Sequence, residues 1–211
     1  KLTKGFWAIA IIVLLLTIDQ IIKIWIKTHM VLYEDIPVTG WFLIRFVENN
    51  GMAMGIELGG KLFLSVFRII ASFSIAYYIY LIVKKNFQLG YIVCMSLIFA
   101  GAIGNIIDSI FYGVIFSEST PFSVATIFPV EGGYERWLHG KVVDMFYFPL
   151  FEFTWADWIP WIGGTQFEFF RYIFNFADAC ISVGLAILLL FYWNTFAKSF
   201  EKKEKNILSE N

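Results

Sequence analysis

Residues 171–193, "RYIFNFADACISVGLAILLLFYW", are apolar enough to cross a bilayer, yet they hold Asn175 and Asp178. A hydrocarbon core of roughly 30 Å takes about 20 helical residues. An ionised carboxylate there costs at least a few kcal/mol, so an intramembrane Asp points to a use. The rest of the chain suits the same medium: of 211 residues 59% are hydrophobic and only 16% charged, far from the balance of a soluble domain. Three further stretches are long enough to span, 6–26, 62–83 and 89–108. In the first, Asp19 and Lys23 follow the apolar run where a small-residue cleavage site would stand, so it reads as a retained anchor rather than a signal peptide. The fold class expected is an all-α integral membrane protein, one membrane domain over residues 1–211 with four transmembrane helices.

Lys1 and Lys4 precede the first span, Lys84 and Lys85 fill the turn after the second, and Lys198, Lys202, Lys203 and Lys205 follow the fourth. By the positive-inside rule both termini and that turn are cytoplasmic. Two long segments, 27–61 and 109–170, then face outward. The first contains "GWFLIRFVENNGMAMGIELGG" (40–60), where β-prone residues interrupted by Asn-Asn-Gly and Gly-Gly predict short strands and turns. The second carries "FTWADWIPWIGG" (153–164), whose Trp155, Trp158 and Trp161 suit the headgroup level.

Several classes drop out. A net charge of −1 without a basic stripe argues against nucleic-acid binding. Cys94 and Cys180 lie in apolar runs without CxxC spacing and read as small packed hydrophobes. His29 and His139, the only histidines, have no partner at ligand spacing, which argues against a zinc centre.

The polar residues that remain converge. With this topology Asp19 and Lys23 lie in the outer part of span one and Arg68 in that of span two. Asn105 and Asp108 end span three on the same side, and Arg171, Asn175 and Asp178 open span four there. Seven residues at 1.5 Å each place Asp178 about 10 Å below the outer boundary. Asn105 with Asp108, and Asn175 with Asp178, have the three-residue spacing of one helix face, while Asp19 and Lys23, four apart, can pair. Polar groups facing lipid are disfavoured, so these require a shared interior or cavity. Gly101, Ala102 and Gly104 allow close helix approach beside them.

Five fragments around the four spans, "TIDQIIK" (17–23), "ENNGMAMG" (48–55), "GAIGNIID" (101–108), "KVVDMF" (141–146) and "FNFADA" (174–179), together resemble the bacterial lipoprotein signal peptidases, or signal peptidase II. The resemblance covers about residues 6–195. It implies an aspartic endopeptidase of the bacterial inner membrane, multi-pass with its site near the outer leaflet. Such an enzyme removes the signal peptide of a prolipoprotein just before the diacylglyceryl-modified cysteine. It also implies a small extracytoplasmic β-cradle and a short periplasmic helix in the outward segments. Carried over by motif, the catalytic aspartates fall on Asp144 and Asp178, and Asp19, Lys23, Asn49, Gly51, Asn105, Asp108 and Asn175 shape the site and bind substrate. The implied partners are the prolipoprotein, membrane lipid and globomycin-type inhibitors; no metal, cofactor or nucleic acid is implied.

Two neighbouring carboxyls cannot both ionise easily, so one stays protonated while the other deprotonates a water. The chain departs from the family in three places. Ser109 stands where an Arg usually follows the Asp of the third motif, leaving Arg136 or Arg171 as candidate replacements. Met54 replaces a Phe, and the stretch between Asp108 and Asp144 is long, which makes Asp157 a second candidate for the loop aspartate. The competing reading is a proton-coupled transporter that uses the same intramembrane carboxylates, though repeated halves with broken helices are not found.

Overall fold

In hydrocarbon every backbone polar group must be satisfied within the chain, which drives long apolar runs into helices. The computed structural model describes residues 2–50 and 61–208, with side chains up to Phe200 apart from those of Lys61 and Leu64. Helix α1 spans Lys4–His29, α2 Lys61–Lys84 and α3 Leu89–Ile107. The third continues through a π-helical turn, Asp108–Tyr112, into α4, Gly113–Ile115. Helix α5, Phe176–Ile187, runs through a second π turn, Leu188–Tyr192, into α6, Trp193–Leu208. Four of these stretches are long and apolar enough to cross a membrane: Lys4–His29, Ser65–Lys84, Leu89–Ile115 and Phe176–Phe200.

Two boundaries differ from the sequence expectation. The third span does not stop at Asp108 but stays helical to Ile115, because the Asp108 side chain is fully buried and meets a cation instead of water. The fourth helix starts at Phe176, not at residue 171, because Ile173–Phe174 pair as a strand, β6. Asn175 therefore stands just ahead of the helix, a place where Asn is favoured over most residues.

Packing divides the chain into two compact units. The first takes the chain up to Ile18, Phe67–Ile106 and everything from Ala177 onward. Its core is built from Ala8, Ile79, Ile82, Tyr91, Ile92, Cys94 and Leu188. Both cysteines are buried, as their apolar setting predicts, and Cys94 Sγ donates to the Gly184 carbonyl at 3.0 Å. Lys4 Nζ donates to the carbonyls of Asn86 (3.1 Å) and Phe87 (2.7 Å), capping the turn between α2 and α3. A Cβ on Gly101 would stand 2.3 Å from the Ala177 carbonyl oxygen and 2.7 Å from Ile181, so the predicted close approach at this glycine is real: α3 and α5 touch there.

The second unit comprises Asp19–Val66 and Ile107–Phe176. Here the segments after the first span and between the third and fourth carry strands, as expected for 40–60 and for a small β-cradle: among the described residues the helices are joined by two small sheets. Strands β1 (Asp35–Thr39), β2 (Phe42–Asn49), β3 (Val142–Tyr147) and β6 form one antiparallel sheet in the order β1-β2-β3-β6. Strands β4 (Phe151–Thr154) and β5 (Gln166–Phe169) form a separate hairpin. Val, Ile, Phe and Tyr fill these strands, residue types that suit a pleated, half-buried surface. Ile26, Met30, Phe46, Tyr112, Phe116, Val143 and Met145 form the core beneath the main sheet. The expected separate short helix is not found: among the described residues, the chain between Ile115 and Phe176 forms strands, bridges and turns. Trp158 and Trp161, in the connection between β4 and β5, are almost fully exposed.

Candidate active site

Strand β3 lies between β2 and β6, and five of its six residues are buried, Asp144 among them at 4% exposure. Its register with β2 shifts between Ile44 and Val47, and Val47 then faces Asp144. Such bulges often stand beside active sites, where they re-aim a side chain. A carboxylate buried this deeply is costly unless hydrogen-bonded. Asn175 supplies the bond, its Nδ2 donating to Asp144 Oδ1 at 2.6 Å. Strand pairing makes this possible, since Phe146 faces Phe174 and Tyr147 faces Ile173, delivering the next residue, Asn175, to the strand that bears Asp144.

Asp178 sits in the first turn of α5, where the helix dipole favours a negative charge. Asn105 Nδ2 on α3 donates to Asp178 Oδ1 at 2.8 Å. The contact at Gly101, one turn before Asn105, holds the two helices close enough for that bond. Both aspartates thus accept from an asparagine amide.

A third carboxylate is organised differently. Lys23 Nζ lies 3.0 Å from Asp19 and 2.8 Å from Asp108, with all three side chains buried. The pairing with Asp19 follows the four-residue spacing; the one with Asp108 was not anticipated. Lys23, rather than Arg136 or Arg171, is the cation that meets Asp108, and both arginines are exposed. Gln20 Nε2 donates to both carboxylates at 3.0 Å, and its Oε1 accepts from the Tyr112 hydroxyl at 3.1 Å. Asp108 Oδ2 in turn accepts from the Val143 backbone N–H at 3.3 Å, one residue before Asp144. A Cβ on Gly140 would fall 2.0 Å from the Asp108 carbonyl oxygen, so only glycine lets the chain entering β3 pass so close.

A second buried ion cluster stands one helical turn further along α1. Lys27 Nζ pairs with Glu48 Oε1 and donates to Ser119 Oγ at 2.8 Å, and Ser119 Oγ donates to Glu48 Oε1 at 3.0 Å. Lys141 lies 3.3 Å from Glu48 Oε2. The Tyr134 ring faces both ammonium groups, at 4.9 Å from Lys27 and 5.3 Å from Lys141, and its hydroxyl accepts from the Lys141 N–H at 2.7 Å. Burial pushes the Tyr134 phenol above its ordinary value. The signal for this cluster in the sequence is the recurrence of Asp19, Lys23 and Lys27 every four residues, which carries the polar helix face past the span end expected at Ile26.

The remaining expected residues are placed as follows. Asn49 ends β2 and faces Val142. Arg68 is half-buried on α2, and Asp157 is exposed in the β4–β5 connection. Gly51 and Met54 lie outside the described residues.

A family model described as Signal peptidase (SPase) II matches residues 11–194. The chain belongs to the signal peptidase II family. A lipoprotein signal peptidase of Porphyromonas gingivalis is 55% identical over 205 residues, covering 97% of this chain and 90% of that protein. One from Amoebophilus asiaticus is 35% identical over 197 residues, covering 90% and 79%. Two solved structures of bacterial membrane enzymes, obtained in meso, superpose with TM-scores of 0.60 and 0.57 at 26% and 28% identity. They cover 89% and 88% of this chain, and 88% and 93% of their own. Family membership and the four apolar helices identify a bacterial membrane peptidase.

Proposed function

We propose that this peptidase is an aspartic endopeptidase whose catalytic pair is Asp144 and Asp178, and that it cleaves diacylglyceryl-modified prolipoproteins just before the lipidated cysteine. The observation that carries the assignment is the 2.6 Å bond from Asn175 to Asp144, made by a residue only three positions before Asp178 in the chain. One carboxyl, protonated, polarises the scissile carbonyl, while the other, ionised, takes a proton from the attacking water. The water oxygen bonds to the carbonyl carbon. The dyad then passes a proton to the leaving amine as the C–N bond breaks. The Asn105 and Asn175 amides hold the carboxylates in place as charge moves. Asp19, Lys23, Asp108 and Asn49 brace the surrounding backbone, and Gly51 helps to shape the site. No step requires a metal or cofactor.

In this reading the chain acts as one membrane domain with both termini cytoplasmic and the site near the outer leaflet. The tryptophans of the β4–β5 connection rest among the headgroups, and globomycin-type cyclic peptides occupy the substrate site. The test is cleavage of a lipid-modified prolipoprotein by the purified full chain in lipid, with the new N-terminus identified by mass spectrometry. A product starting at any residue other than the modified cysteine overturns the specificity. Proton-driven uptake in vesicles without cleavage would favour the transporter.

A further inference from the structure

The two π turns among the described residues have different surroundings. The first carries Asp108. The second, Leu188–Tyr192, has no part in the proposed chemistry, yet π turns inside helices are frequent at functional sites. Leu188 borders a cavity of about 500 Å³ in the first unit, inside the range of roughly 300–1,000 Å³ typical of ligand pockets. One wall is apolar, with Ile75, Ile98 and Leu188. The remaining lining includes the Tyr78 and Ser199 hydroxyls, which lie 2.6 Å apart, and Lys85 in the turn just after α2. Lys85 stands ten positions after Ile75, just beyond the end of α2, so the lining runs about 15 Å along the helix from its charged end. Lys84, next to Lys85, lies 5.8 Å over the Tyr80 ring.

An apolar slot with hydroxyls in its lining and one lining ammonium group, Lys85, with Lys84 beside it in the chain, matches one kind of molecule: an amphiphile with a long hydrocarbon tail and an anionic head. We propose that this cavity is a binding site for an anionic phospholipid of the bilayer, its acyl chain along Ile75, Ile98 and Leu188 and its phosphate at Lys84 and Lys85. A zwitterionic lipid brings its own cation to the same mouth and loses that advantage.

Native mass spectrometry of the full chain in detergent, titrated with dioleoyl phosphatidylglycerol or dioleoyl phosphatidylcholine, tests this. The wild type binds one phosphatidylglycerol at least fivefold more tightly than phosphatidylcholine, since each lysine near anionic lipid contributes about fivefold. Lys84→Gln with Lys85→Gln, both at exposed positions, lowers the preference at least fivefold. Ile98→Trp, which fills the apolar wall, weakens both lipids alike. Equal binding of the two lipids, an unchanged preference in the double variant, or a co-purified polypeptide in place of lipid overturns the proposal.

Discussion

The Lys23 ammonium lies 2.8 Å from a carboxylate oxygen of Asp108, and neither side chain reaches solvent. A buried pair broken by removing one partner costs about 3–5 kcal/mol, because the survivor is left as an uncompensated charge. Lys23→Met strands both Asp19 and Asp108, so its melting temperature in detergent should fall well below that of wild type. Asp19→Asn should cost less, since Lys23 still neutralises Asp108. Equal thermal stability of Lys23→Met and wild type would show that the triad does not hold the fold.

Asp144→Asn and Asp178→Asn preserve size and polarity but remove the ionisable group. Each should reduce turnover of a lipid-modified prolipoprotein on the order of 10⁴-fold while thermal unfolding stays close to wild type. Activity retained in either variant would displace that residue from the catalytic pair.

Asn175→Ala removes the amide that holds Asp144. Hydrogen bonds to charged groups contribute about 1.5–3 kcal/mol, so kcat should drop roughly ten- to a hundredfold. An unchanged kcat with a raised KM would point to substrate binding instead of carboxylate orientation.

The cluster around Glu48 lends itself to a double-mutant cycle. Glu48→Gln and Lys27→Met should each destabilise the protein, and the double variant should cost less than the sum, with a coupling in the range of about 0.5–3 kcal/mol for contacting residues. Additive losses would mean that the two side chains do not share a stabilising contact.

The number of spans was legible because about 20 apolar residues in a row admit few structures in a bilayer. The strand β2 was legible from β-prone residues bounded by turn signals. The Asp19–Lys23 pair followed from helical spacing alone. What stayed hidden depended on distant parts of the chain. Composition cannot tell a short apolar strand from the first turn of a helix, so β6 passed for part of the fourth span. The run of helix from Asp108 to Ile115 depends on Lys23 neutralising Asp108, a contact across 85 positions of sequence. Glu48 was read as part of a motif, whereas its partners Lys27, Ser119 and Lys141 come from three separated segments.

Asp19, Lys23 and Lys27 give the first helix a fixed rotational setting. A single residue inserted between Ile24 and Trp25 would swing Lys27 by about 100° relative to Lys23, so only one of the two lysines could keep its carboxylates. This helix is therefore more than a hydrophobic tether: a polyleucine segment of equal length would still cross the lipid, but nothing would index the strands bearing Glu48 and Asp144 against it.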